Sequence, residues 1–282
     1  LSDYVIDRYY PEARAEANPY FAMFQSVLDR SARLVALWQA YGFVHAVMNT
    51  DNMSIIGETF DYGPFTFMDR YEPDHIANKN DSRGRYAFSN QPSVMLWNLT
   101  ALAQAITPLV NSELLQSELA TFSDRYQQYF YQRLGQRLAL AGEGIHHKSL
   151  IDDLLKTLAD GGGDLNRFIY CLMDHTEQEI PLDCSGDSIG MKAWLTRFYT
   201  ERDRSPDELS ERIQKANPLN PVYTLRNYMC EEAIRDAQSG DFQRVNDLLA
   251  LVQKPFKRNE TLDHYGNAPP DWAAGVFLTC SS

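Results

Sequence analysis

Between Phe43 and Phe65 three polar side chains, Asp51, Asn52 and Asp61, are set among short apolar runs: Phe43 with Val44, Val47 with Met48, and Met53 to Ile56. Runs of that length become buried strands or tight supports for a loop. Carboxylates are seldom left in apolar surroundings without something positive to compensate them. A carboxylate beside an amide, followed nine residues on by a second carboxylate, is a set of hard oxygen donors that suits Mg²⁺ or Mn²⁺. A lone Asp-Asn pair would be read as ordinary turn chemistry; it is the longer pattern that argues for a metal-binding loop.

The same stretch can be laid on the protein-kinase catalytic loop, H-R-D-L-x-x-x-N, and the D-F-G after it. His45 falls on the His, Met48 on the Leu and Asn52 on the metal-binding Asn, and Asp61-Tyr62-Gly63 reads as the D-F-G. Val47 stands where a kinase has its catalytic Asp, and a valine accepts no proton. The metal-binding half of the machinery is retained, with a different acid, Asp51, beside the Asn. His45 reads as a structural prop beneath the loop, as its kinase counterpart is.

The run His45 to Asn52, taken with Asp61 to Phe65, Gly84-Arg85-Tyr86, Asn90-Gln91-Pro92 and Leu96-Trp97-Asn98-Leu99, closely resembles the selenoprotein O (SelO) family. Further matches lie at Asn220-Pro221, at Leu225 to Tyr228, at Pro269 to Trp272 and at Cys280-Ser281-Ser282, so the resemblance spans nearly the whole chain. It implies a pseudokinase fold that transfers AMP from ATP, bound in reverse, to Ser, Thr or Tyr hydroxyls of proteins. On these residues it implies Asp51 as proton acceptor, and Asn52 and Asp61 as holders of a Mg²⁺ or Mn²⁺ ion bridging the ATP phosphates. It also implies a cytoplasmic location for a bacterial member, or a mitochondrial one for a eukaryotic member. Ala46 departs from the family's usual Gly, which would strain the loop if that position needs positive φ. Ala77 stands where some bacterial members carry a second Cys, so a switch with Cys280 is not expected, and Cys280 reads as an exposed free thiol.

The remaining chain reads as mostly helix. Asn18 and Pro19 open a helix whose apolar positions Phe21, Phe24, Val27, Leu28, Leu34, Val35 and Trp38 face inward, and Gly42 stops it. Residues 66–90 are polar and take the place of an activation segment, with Arg85 facing phosphate or a protein substrate. Glu58 and Asp69 flank the site and are read as solvent-facing. Pro92 opens a helix apolar on more than one side, expected to be central and buried. Helices are expected at about 112–139, 147–160, 164–174, 188–202, 207–215, 221–239 and 242–253, with a loop-like tail after Pro255. His146 and His147 read as surface residues, and the glycines at 161–163 as a helix stop rather than a phosphate loop.

The fold class expected is therefore mainly α: a kinase-like C-lobe with extra C-terminal helices and a few short strands around the active-site loop. Residues 1–110 would hold the C-lobe core with its catalytic loop and activation-like segment, and 111–282 a helical extension packed on it. No Gly-rich strand-turn-strand and no phosphate-binding Lys with its Glu partner is recognisable. The chain begins at Leu1, close to the catalytic loop, so it reads as a fragment lacking the nucleotide-binding N-lobe and inactive alone. A net charge of −12 argues against a nucleic-acid or anionic-membrane surface without excluding metal-bound ATP. Four scattered cysteines without C-x-x-C fit a reducing compartment and no Cys₄ zinc site. Two rivals stand beside AMP transfer: transfer of UMP with Mn²⁺, and an inactive kinase-like scaffold that binds a partner protein.

Overall fold

The computed structural model describes residues 1–174, 182–186, 189–205 and 208–276; the expectation for Cys280 lies outside them. Asn18 accepts from the backbone N–H groups of Tyr20 and Phe21, at 3.1 and 3.0 Å, and Pro19 opens the helix α2 (Pro19–Ala40) behind that cap. Gly42 ends the helix at φ +65°, a left-handed turn that suits a residue without Cβ. A short helix α1 (Ser2–Tyr9) precedes α2. The chain then runs through strand β1 (Phe43–Val44), the 45–65 loop and strand β2 (Thr66–Phe67) to helix α3 (Gln91–Ala105). The two strands pair antiparallel, Phe43 opposite Phe67 and Val44 opposite Thr66.

Beyond α3 come α4 (Ser112–Ala120), α5 (Phe122–Arg137), α6 (Lys148–Gly161), α7 (Leu165–Asp174), α8 (Leu182–Ser185), α9 (Ile189–Arg202), α10 (Leu209–Ala216), α11 (Asn227–Gln238) and α12 (Gln243–Val252). The mainly helical expectation holds, with local corrections. The single helix expected over 112–139 divides at Thr121, whose hydroxyl turns back to donate to the Glu118 carbonyl at 2.8 Å. The helix expected from 221 starts at Asn227, because the backbone N–H groups of Val222 and Tyr223 both donate to the Pro255 carbonyl. Helix α3 is not buried all round. Val94, Met95 and Leu99 face inward, while Trp97 is 52% exposed and is covered instead by the Arg85 guanidinium, 5.0 Å from its ring. His147 is a further correction: it is buried, its Nε2 donating to the Ala141 carbonyl at 2.7 Å.

Apolar burial falls into three clusters. One joins α1, α2, α3 and α4 around Phe24, Leu28 and Met48. A second joins the C-terminal end of α2 to α5, α6, α7 and α9 around Leu134, Phe168 and Trp194. The third lies within α11, α12 and the tail, around Met229, Leu248 and Tyr265. Within the second cluster Cys171 and Cys184, thirteen apart in sequence, come to 3.0 Å.

Two buried arginines stitch these parts together. Arg137, fully enclosed, donates to Asn220 at 2.9 Å, to Asn166 at 3.0 Å and to the Ala40 carbonyl, and lies over the Tyr41 ring. Burial pushes its pKa down to about 10. Arg226 reaches in from the C-terminal segment to Asp164 and to Asp69, at 2.5 and 3.1 Å. Burial works against its charge, but the two carboxylates outweigh it and raise the pKa. Asp69, read from sequence as solvent-facing, is thus an anchor for this arginine; burial raises its own pKa despite the pairing. Asp164 also caps α7 by accepting from the N–H groups of Asn166 and Arg167. Replacing Arg226 by Met would strand Asp164, only 4% exposed, without its cation. An Arg226→Met variant is expected to lose about 3–5 kcal/mol of stability, read by denaturant titration against the parent chain.

Candidate functional site

Pairing of β1 with β2 closes residues 45–65 into a loop, and polar side chains of neighbouring helices then hold it from beneath. Gln91, fully buried at the start of α3, donates its amide N–H to the Phe43 carbonyl and accepts from the His45 N–H, both at 2.9 Å. That is how a neighbouring strand would engage β1, so one side chain stands in for a ladder partner. Seven residues along the same face of α3, Asn98 donates to the Met48 carbonyl at 3.0 Å. From α2, the Trp38 indole N–H donates to the Thr59 hydroxyl at 2.8 Å, and from α1's end the Tyr10 hydroxyl donates to the Ile55 carbonyl. Gly57 turns at φ +75° where an added Cβ would stand 2.7 Å from the Arg30 Cβ, so the loop is shut tightly against α2 at that point.

His45 joins the two arms of the loop. Its ring is 2% exposed, and its Nε2 lies 3.0 Å from the carbonyl of Phe60, the residue before Asp61. A carbonyl only accepts, so Nε2 carries the proton and Nδ1, which has no partner, is the bare nitrogen. Burial lowers the pKa of this ring. His45 is the prop that its position in the motif suggested. Next to it Ala46 is held at φ +70°, so this position does demand a left-handed backbone, and the alanine is strained there.

Asp51 and Asn52 lie in a single 3₁₀ turn, Thr50–Asn52. Asn52 donates through Nδ2 to the Val47 carbonyl at 3.0 Å, which leaves its Oδ1 as the end available to a cation. Asp61 sits on the returning arm at φ +54°. Both carboxylates are exposed: Met48 and Phe43 are buried, as supports of a loop, and the acids point outward from that support. Among the described residues neither acid accepts a hydrogen bond or an ion pair, so both are free for a ligand. Around Asp61 the aromatic side chains Tyr62 and Phe65 pack on Phe43, with ring centres 6.3 and 5.8 Å from it.

These groups are hard oxygen donors, which fits Mg²⁺ or Mn²⁺ rather than a soft metal. Among the described residues no three His, Cys, Asp or Glu side chains converge into a metal cage. An ion here would take Asn52 and Asp61 and fill its remaining positions from phosphate and water, the habit of Mg²⁺ in phosphoryl sites. No helix among the described residues is long and apolar enough to cross a membrane. Sequence motifs contain the loop's supports Gln91 and Asn98 without assigning them a role; the Tyr86 hydroxyl, a further support, donates to Oδ1 of Asn49. The signal available was a pair of amides seven apart on the inward face of an otherwise apolar helix.

Residues 1–253 match the family described as Protein adenylyltransferase SelO, and the chain belongs to that family. Relatives named Protein nucleotidyltransferase YdiU align along its whole length: 51% identical in Hahella chejuensis, 40% in Aliivibrio salmonicida and 39% in Vibrio cholerae. The chain spans 58–59% of the length of these curated relatives.

Two measurements check the loop. A left-handed alanine is disfavoured by roughly 1–2 kcal/mol, part of which glycine gives back as unfolded-state entropy. Ala46→Gly is therefore expected to raise stability by about 0.5–1 kcal/mol, seen as a higher melting temperature. Since burial lowers the His45 pKa, the neutral ring is the folded form, and its contribution is present above the unfolded value of about 6.5 and lost as pH falls below it. The melting temperature of the parent chain is expected to drop more steeply between about pH 7 and 5 than that of His45→Gln.

Proposed function

We propose that this chain supplies the catalytic loop of a metal-dependent protein adenylyltransferase, which moves AMP from ATP to the hydroxyl of a Ser, Thr or Tyr in a protein. The observation that carries the reading is a loop of SelO-family sequence pinned by five side chains from outside it, with the carboxylates of Asp51 and Asp61 left unpaired among the described residues and exposed. The surrounding helices are read as a kinase-like C-lobe, in which α2 delivers the chain into the catalytic loop as the corresponding kinase helix does.

In this reading Asp51 accepts the proton of the incoming hydroxyl, for which it must lie within hydrogen-bond reach of the attacking oxygen. Asn52, through Oδ1, and Asp61, through its carboxylate, hold the ion. When bound, that Mg²⁺ or Mn²⁺ supplies charge neutralisation to the phosphates as pyrophosphate leaves. His45, by fixing the carbonyl of Phe60, sets the backbone from which Asp61 projects. Residues 1–282 alone are expected to bind ATP poorly, because no Gly-rich phosphate loop or phosphate-binding Lys is recognisable among them. The relatives' name leaves the nucleotide open, and that favours keeping UMP transfer with Mn²⁺ as the second reading.

The test uses the natural full-length chain and ATP labelled at the α or the γ phosphate. Label from the α position is expected in acceptor protein; Asp61→Ala should abolish it, and Asp51→Ala should slow it by roughly 10²–10⁴-fold. Incorporation of the γ label alone would replace adenylyl transfer by kinase chemistry. Competition by UTP in the presence of Mn²⁺ separates the second reading.

A further inference from the structure

Resting on the reading of Asp51 as proton acceptor, we infer that Tyr86 is a positioning residue for it, acting through Asn49. The Tyr86 hydroxyl donates to Oδ1 of Asn49, the residue that leads into the Thr50–Asn52 turn, and the Asn49 carbonyl accepts from the Asn52 N–H at 3.0 Å. Among the described residues no other side-chain hydrogen bond from outside the loop reaches residues 49–51. The turn is also tied by Asn98 on Met48 and by Asn52 on Val47. Without the Tyr86 hydroxyl the turn keeps those two ties and loses the one on Asn49, so the exposed Asp51 would sample orientations away from an arriving hydroxyl.

Tyr86 is itself rigidly presented, which a positioning role requires. Asp81 accepts from the backbone N–H groups of Arg85 and Tyr86, at 2.9 and 2.7 Å. Gly84 turns at φ +62°, where an added Cβ would stand 3.2 Å from Ile76, and Asn90 donates to the Gly84 carbonyl at 2.8 Å. The Arg85 guanidinium lies 5.4 Å from the Tyr86 ring and 5.0 Å from the Trp97 ring, tying the tyrosine face to α3. A loop with every strut in place thus ends in one hydroxyl aimed at the catalytic turn. The polar 66–90 segment, in the place of an activation segment, is in this way coupled to the proton acceptor by a single bond that a phenylalanine would lack.

The experiment measures α-label transfer by the natural full-length protein in four forms: parent, Tyr86→Phe, Asp51→Ala and the double variant. Phenylalanine keeps the ring and its stack with Arg85 and deletes only the hydroxyl. Tyr86→Phe is expected to lower kcat roughly tenfold to a hundredfold with the KM for ATP unchanged, since misplacing a reacting group affects turnover rather than nucleotide binding. Asn49→Ala should reproduce that loss. In the Asp51→Ala background, Tyr86→Phe should cause no further loss, because the residue it positions is gone. If Asp51→Ala slows transfer but Tyr86→Phe does not, or if the two losses multiply, the inference is overturned while the role of Asp51 stands. If Asp51→Ala leaves transfer intact, the reading of the site and this inference fall together. A melting temperature for Tyr86→Phe near that of the parent accompanies the supporting outcome. A lowered melting temperature with kcat and KM both impaired assigns the tyrosine to the fold and overturns the positioning role.

Discussion

The loop that carries the candidate chemistry is held shut by very little backbone. Two residues of β1 face two of β2, and a ribbon that short is not stable by itself in water. What completes it is the Gln91 amide, buried between the Phe43 carbonyl and the His45 N–H. In that dry setting both amide ends are satisfied, and a buried peptide group that would otherwise be stranded finds its partner. Because Gln91 is the first residue of α3, the position of the helix and the closure of the loop are one constraint. The same helix then reaches the loop a second time through Asn98, so α3 grips both the strand that enters the loop and Met48, two residues before the Thr50–Asn52 turn.

A similar division of labour runs through the rest of the molecule. Among the described residues apolar packing builds three clusters, two of them bordered by the same Tyr126 and Tyr129, and buried polar groups join them. Arg137 meets the end of α2, the start of α7 and Asn220 at one point, while Arg226 fastens the C-terminal segment to Asp164 and Asp69. Such groups are expensive to desolvate and tolerate few alternative partners, so they specify which surfaces meet rather than simply how strongly. Asp69 belongs to the stretch just after the 45–65 loop. The C-terminal segment is therefore bonded directly to the part of the chain that leaves the site.

Features governed by near neighbours were readable from sequence. Asn18, Pro19 and Gly42 bound α2 through local capping and a left-handed stop, and the strain foreseen at Ala46 is present because φ there is set by the loop's own turn. The motif running from His45 through Asp61 marked the loop and the family. What escaped was everything settled by distant partners. Arg226 pairs with a residue 62 positions away and Gln91 with one 48 positions away, and neither spacing leaves a periodic trace. The exposure of Asp51 and Asp61 was not legible for a related reason: flanking apolar residues report that the backbone is supported, not which way its polar side chains point. The burial of His147 and the approach of Cys171 to Cys184 likewise depend on how helices meet.

The outward stance of the two acids has a bearing on how any cation is used. Among the described residues, side chains of Tyr10, Trp38, Tyr86, Gln91 and Asn98 tie the loop by hydrogen bonds while the two acids stay outside these ties. Ligands open to solvent hold a cation loosely and let it exchange. An ion bound there as proposed would behave as a visitor that travels with its nucleotide, and its occupancy would follow the supply of that complex rather than the history of the folded chain.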